Sequence, residues 1–109
     1  GIPHGQANAL ALPHVLKACL AEAETALAEL AVVTNVSDAA SPAARAQAFV
    51  EAVQDLIAKV GIAETDPRIQ PDDWTVLAHA AMDESDGYVS PRLLTKAEIM
   101  DTLEQITAR

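Results

Sequence analysis

Residues 41–61 read SPAARAQAFVEAVQDLIAKVG. Ser41 is a good helix N-cap, because its hydroxyl can accept from one of the backbone N–H groups that a first turn leaves unpaired. Pro42 falls in that first turn, where a missing N–H costs nothing. Phe49, Val53, Leu56, Ile57 and Val60 follow at i, i+4, i+7, i+8 and i+11, a single stripe at helical spacing. Gly61 can adopt the left-handed conformation that commonly ends a helix. The stretch predicts one long helix with its apolar stripe turned inward.

The rest of the chain fits the same class. Half of the 109 residues are hydrophobic, yet only Phe49, Trp74 and Tyr88 are aromatic. Alanine is the best helix former, whereas strands favour β-branched and aromatic residues, so an alanine-rich chain reads as packed helices. Residues 5–20 are apolar nearly all round and predict a buried helix, with a kink at Pro13, whose ring crowds the carbonyl of Ala9. Residues 22–33 predict a second helix, with Ala23, Leu27, Leu30 and Ala31 on one face. TNVSDAA at 34–40 is a polar loop and IAETDPRIQ at 62–70 a connector. Pro71 opens a fourth helix whose first turn carries Asp72 and Asp73, favourable at the positive helix end, and whose buried stripe is Trp74, Leu77, Ala78, Ala81 and Met82. DESDGYVSPR at 83–92 is a loop. Thr95 and Glu98 are spaced as a capping box for a last helix, with Ile99, Leu103 and Ile106 inward. The expected architecture is all-α: about five or more helices in one domain over residues 1–109, with no strand.

A formal net charge of −9 argues against nucleic acid and anionic membrane surfaces, since both select basic patches. It suits a soluble, cytoplasmic protein. No apolar run approaches the ~20 residues that span a bilayer. The single cysteine, Cys19, excludes an intramolecular disulfide and reads as a buried, inert thiol.

Three histidines are candidates for chemistry. His4 stands between Pro3 and Gly5 at the mouth of the first apolar helix, where it could be a metal ligand, an acid–base group or a hydrogen-bonded structural residue. His14 lies ten residues on, about 280° around an ideal helix, so the two do not share a face. A structural or outer-shell role is expected for His14 and a surface or boundary position for His79. Asp83, Glu84 and Asp86 form an acidic cluster without the D-x-[DN]-x-[DN]-G pattern of a Ca²⁺ loop, and read as solvated. No G-x-S-x-G, G-x-G-x-x-G or P-loop is present.

The opening segment PHGQANALALPHV resembles the H-G-x-x-N-A-x-x-L-P stretch of the iron-containing (group III) alcohol dehydrogenases. The matching residues are Pro3, His4, Gly5, Ala7, Asn8, Ala9, Leu12, Pro13, His14 and Val15. Further on, VGI at 60–62, LAHAAMDE at 77–84 and SPRLLTKAEIMDTL at 90–103 are similar to later segments of that family in the same order. Ser90 stands where the family usually has asparagine, and Asp86 where some members have cysteine.

What the resemblance implies is specific. The fold is the C-terminal helical domain of a dehydroquinate synthase-like, iron alcohol dehydrogenase architecture. Its partners are an upstream dinucleotide-binding domain, absent from this chain, and a small alcohol or aldehyde substrate. The family binds Fe²⁺, or sometimes Zn²⁺, through one aspartate and three histidines, and uses NAD(P) as hydride carrier. The last of those histidines matches His4. The chain then reads as the downstream half of a larger oxidoreductase, inactive alone. An apolar patch would be exposed where the other domain docks, and the assembled protein is expected to be a homo-oligomer. The alternative is a stand-alone helical interaction module without catalysis.

Overall fold

Among the described residues the chain forms five α-helices: α1 (His4–Ala18), α2 (Glu24–Val33), α3 (Pro42–Lys59), α4 (Trp74–Ser85) and α5 (Lys96–Ile106). The computed structural model describes residues 2–85 and 92–108, without the side chains of His4 and Ser85. Among the described residues there is no strand, only an isolated parallel bridge between Asp66 and Thr107. The all-α expectation holds, and no helix is long and apolar enough to cross a membrane.

The helix ends follow from local chemistry. Ser41 Oγ accepts from the Ala44 N–H at 3.4 Å, capping α3. At its other end Gly61 takes φ 85°, letting the Ile62 N–H reach the Ile57 carbonyl at 3.2 Å and the Gly61 N–H the Ala58 carbonyl at 3.1 Å. This double closure satisfies carbonyls that the last turn leaves open. Asn35, at φ 62°, closes α2 in the same way, with Val36 N–H on the Ala31 carbonyl at 2.8 Å. Asparagine is one of the few non-glycine residues that adopt this conformation readily. The capping box of α5 is present in both directions, Glu98 N–H to Thr95 Oγ1 at 3.2 Å and Thr95 N–H to Glu98 Oε1 at 2.9 Å.

Several boundaries differ from expectation: α2 starts at Glu24 rather than residue 22, and α4 runs on to Ser85, through residues expected in the loop. The first helix stops at Ala18 rather than residue 20, because the Ala18 carbonyl accepts from Arg92 Nη2 at 2.6 Å, a partner 74 residues away. The fourth begins with a 3₁₀ turn, Pro71–Asp73, before the α-helix proper. Through Pro13, which is buried, α1 runs as one element.

Packing proceeds in pairs. α2 lies on α3 and α4 on α5, while α1 touches both α3 and α5 and so bridges the pairs. Two small cores result. Leu10, Ile69 and Ile106 form one, with Ile2, Trp74 and Leu103 against it. Leu27, Ala46 and Val50 form the other, with Leu16, Leu20, Ala23 and Phe49 against it. The radius of gyration is 14.7 Å, above the roughly 13 Å of a compact chain of this length, as two side-by-side cores require.

Several residues expected inward face solvent instead. Leu30 is 43 % exposed, Leu56 60 % and Val60 63 %, and Leu77 and Met82 are also exposed. α2 has 10 residues against the 18 of α3, and at 1.5 Å per residue it is too short to cover its partner's whole stripe. What α2 does cover is Ala46 and Val50, both fully buried. Among the described residues α4 packs mainly on α5, with Trp74 at its start reaching the Leu10 cluster, and Leu77 and Met82 lie on the side left open. The same holds for α1: Leu10 and Pro13 are buried, but Leu12 is 43 % exposed. This helix, expected to be buried all round, is covered only where α3 and α5 reach it.

Candidate functional site

The opening histidine is the first residue of α1. Pro3 precedes it in extended backbone, with φ −55° and ψ 140°, and its carbonyl accepts the Ala7 N–H at 2.9 Å, so the helix is wound from the first turn. The side chain of His4 lies outside the described residues. What the structure does describe is the ground on which that residue stands.

That ground is polar and comes from the connector before α4, 60 residues on from Gln6. Asp66, in the connector, is buried at 3 % exposure. Its Oδ1 accepts the Arg68 N–H at 2.8 Å and Nε–H at 2.9 Å, and its Oδ2 accepts Arg68 Nη2 at 2.6 Å. Gln6 Nε2, on the first turn of α1, donates to Oδ2 at 3.3 Å. The Asp66 N–H donates to the Ile106 carbonyl at 2.9 Å. The Arg68 side chain, then the Arg68 backbone N–H, hold the Asp66 carboxyl down at about pKa 2 against the opposing effect of burial. Sequence reasoning passed over this residue. The available signal was the D-P-R triplet: an aspartate that accepts the N–H two residues on is an Asx turn, a motif with its own residue preferences.

A second polar node fixes the other end of α1. Arg92 Nη1 and Nη2 reach Glu98 Oε1 and Oε2 at 2.7 and 2.5 Å, and its Nε pairs with Glu22 at 3.2 Å. Together with the bond to the Ala18 carbonyl, one guanidinium ties the end of α1 to the start of α5. Arg92 first, then the Thr95 N–H, pull the Glu98 carboxyl down to about pKa 2. Cys19, buried as expected, donates weakly to the Arg92 carbonyl at 3.8 Å.

The other candidates do not gather around His4. Ten residues along α1 correspond to about 15 Å, and His14 lines a cleft of about 240 Å³ with Gln54, Ile57, Glu64 and Gln105. Burial, then Lys17, lower the pKa of His14, opposed by a hydrogen bond with Gln105 and by Asp101 and Glu64. A neutral, hydrogen-bonded imidazole between helices is the structural role expected of it. His79 is exposed on α4. Asp83 and Glu84 are exposed in the last turn of α4 rather than in a loop, and Asp86 lies outside the described residues. Among the described residues, no group of three or more His, Cys, Asp or Glu side chains could hold one metal ion.

Comparison with known proteins gives one match. The model of the Fe-containing alcohol dehydrogenase family, C-terminal, covers residues 1–107. No curated protein and no solved structure matches.

Proposed function

The chain belongs to the Fe-containing alcohol dehydrogenase family, whose C-terminal domain it carries over residues 1–107, and from that premise we propose that its role is to complete the metal site and close the cleft of an alcohol or aldehyde oxidoreductase. The family architecture implies an N-terminal domain as partner. In this reading that domain binds NAD(P) and supplies the remaining metal ligands, the assembled enzyme is a cytoplasmic homo-oligomer, and residues 1–109 form one helical domain.

His4 is the ligand this chain contributes. A neutral imidazole suits Fe²⁺ or Zn²⁺. The carboxylate that reaches the first turn of α1, Asp66, is committed to Arg68 and Gln6, which supports taking the other ligands from upstream. When bound, the metal supplies Lewis-acid polarisation of the substrate oxygen, and a nicotinamide carries the hydride. This chain's own residues hold and orient. Pro3 restricts the approach of the backbone to His4, and Gly5 leaves room on the helix surface beside it, with no heavy atom within 4 Å of where a Cβ would stand. Leu12, exposed on α1, offers apolar surface for the upstream domain to cover, which would exclude water from that side of the cleft.

The observation that carries the reading is the family match, since it takes in Pro3-His4-Gly5 at the start of α1. The test is His4→Ala in the intact, two-domain protein. Metal content by elemental analysis and dehydrogenase activity are expected to fall together. Full occupancy with full activity would exclude His4 as a ligand.

A further inference from the structure

The first turn of α1 is poorly equipped to hold itself. Its N-cap position makes no side-chain hydrogen bond, and no acidic residue sits in the turn to favour the positive helix end. Gly5 adds backbone freedom in the same place. Helix starts of this kind fray, yet a metal ligand has to be held to within a fraction of an ångström.

The restraint comes instead from residues distant in sequence, on both sides of His4. Two residues before it, Ile2 packs on the Leu10, Ile69 and Ile106 cluster. Two residues after it, Gln6 donates to Asp66 at 3.3 Å. Asp66 is a firm anchor: it is buried, its carboxylate takes three donors from Arg68, and its N–H is bonded to the end of α5.

We propose that Gln6 and Asp66 are positioning residues for His4, fixing the turn from which the imidazole reaches the metal. The proposal rests on the reading of His4 as a ligand. Removing a partner bonded directly to a ligating histidine typically changes metal affinity about 10- to 100-fold, so residues that act through the helix turn are expected at the lower end of that range. Gln6→Leu is the cleaner variant, since it keeps the size of the side chain and deletes the donor while leaving the Asp66–Arg68 pair intact. Asp66→Asn is the stronger one, and is read only if it folds.

The experiment uses the intact protein, parent, Gln6→Leu and His4→Ala, loaded with Co²⁺ as a spectroscopic metal. Chelator competition gives the Co²⁺ dissociation constant, the visible ligand-field bands report the geometry, and thermal melting of the metal-free protein reports the fold. Gln6→Leu is expected to weaken Co²⁺ binding about 10-fold and to shift the bands, with a melting midpoint close to the parent's. A purely structural role would lower the midpoint and leave the bands in place. Parent-like affinity and bands in Gln6→Leu, with binding lost in His4→Ala, would overturn the positioning role and leave the ligand reading standing. Parent-like binding in His4→Ala would overturn both.

Discussion

The Trp74 indole N–H donates to Thr107 Oγ1 at 2.9 Å, a bond between residues 33 apart in sequence. Thr107 Oγ1 donates onward to the Leu103 carbonyl at 2.6 Å, so one hydroxyl serves as acceptor and donor. Thr107→Val keeps the shape and leaves the indole N–H without its acceptor. An unpaired buried donor costs about 1–3 kcal/mol, and Trp74 is half-buried, so the loss is expected at the lower end of that range. Trp74 is the only tryptophan, so its fluorescence follows unfolding directly, and a urea midpoint equal to the parent's would show that the bond contributes nothing.

Acid should unfold the domain through two carboxylates. Asp66 falls from 3.8 to about 2 and Glu98 from 4.5 to about 2 in the folded state. Between about pH 4.5 and 2 the unfolded chain therefore binds more protons than the folded one, and stability drops as pH falls through that window. Above it both groups are ionised in both states and their contribution is complete. Glu98→Gln should lower stability at pH 7 and flatten the acid limb of a stability-against-pH curve. An acid limb as steep as the parent's would mean that other groups drive it.

The α2–α3 contact is close enough to reject added volume. Ala46 is fully buried and packs with Leu27 and Val50. Ala46→Leu forces three extra carbons into that seam, and overpacking of this kind costs about 1–3 kcal/mol. Chemical denaturation monitored by circular dichroism measures it. A variant as stable as the parent would show that α2 can move away from α3 freely.

Leu56 and Val60 lie four residues apart on the uncovered flank of α3, at 60 % and 63 % exposure. Replacing both with glutamine should change stability by no more than about 0.5 kcal/mol, as is usual for surface positions. It should also reduce self-association of the 109-residue chain in sedimentation, because contiguous apolar surface drives association. The same assembly state before and after would place the contact elsewhere.

Helix number, capping and the class of fold are legible from local pattern alone. Ser41, Gly61, Thr95 and Glu98 announce themselves because caps act over three or four residues. The burial of Leu56, Val60 and Leu30 is not legible in the same way. Periodicity says which residues share a face, and whether a neighbour is long enough to cover that face depends on two other helices. The D-P-R triplet signals the Asx turn at Asp66, but the reach of Asp66 to Gln6 and of Arg92 to the Ala18 carbonyl is not legible, because those partners lie 60 and 74 residues away and polar loop residues ordinarily read as solvated. His4 was legible only through the family's motif, since a histidine between proline and glycine admits several roles on residue chemistry alone.

Ile2 and Ile106 share one hydrophobic cluster, so the residues just before α1 are seated by the end of α5. On the ribosome, the segment around His4 is made before α2 to α5 and waits for nearly all of them before Ile69, Asp66 and Ile106 are all present to receive it. Any binding that requires a settled α1 start is thus a late event in the protein's life, following synthesis of α5 rather than accompanying synthesis of α1. Trimming the chain at its C-terminal end, far from His4 in sequence, removes the support beneath it.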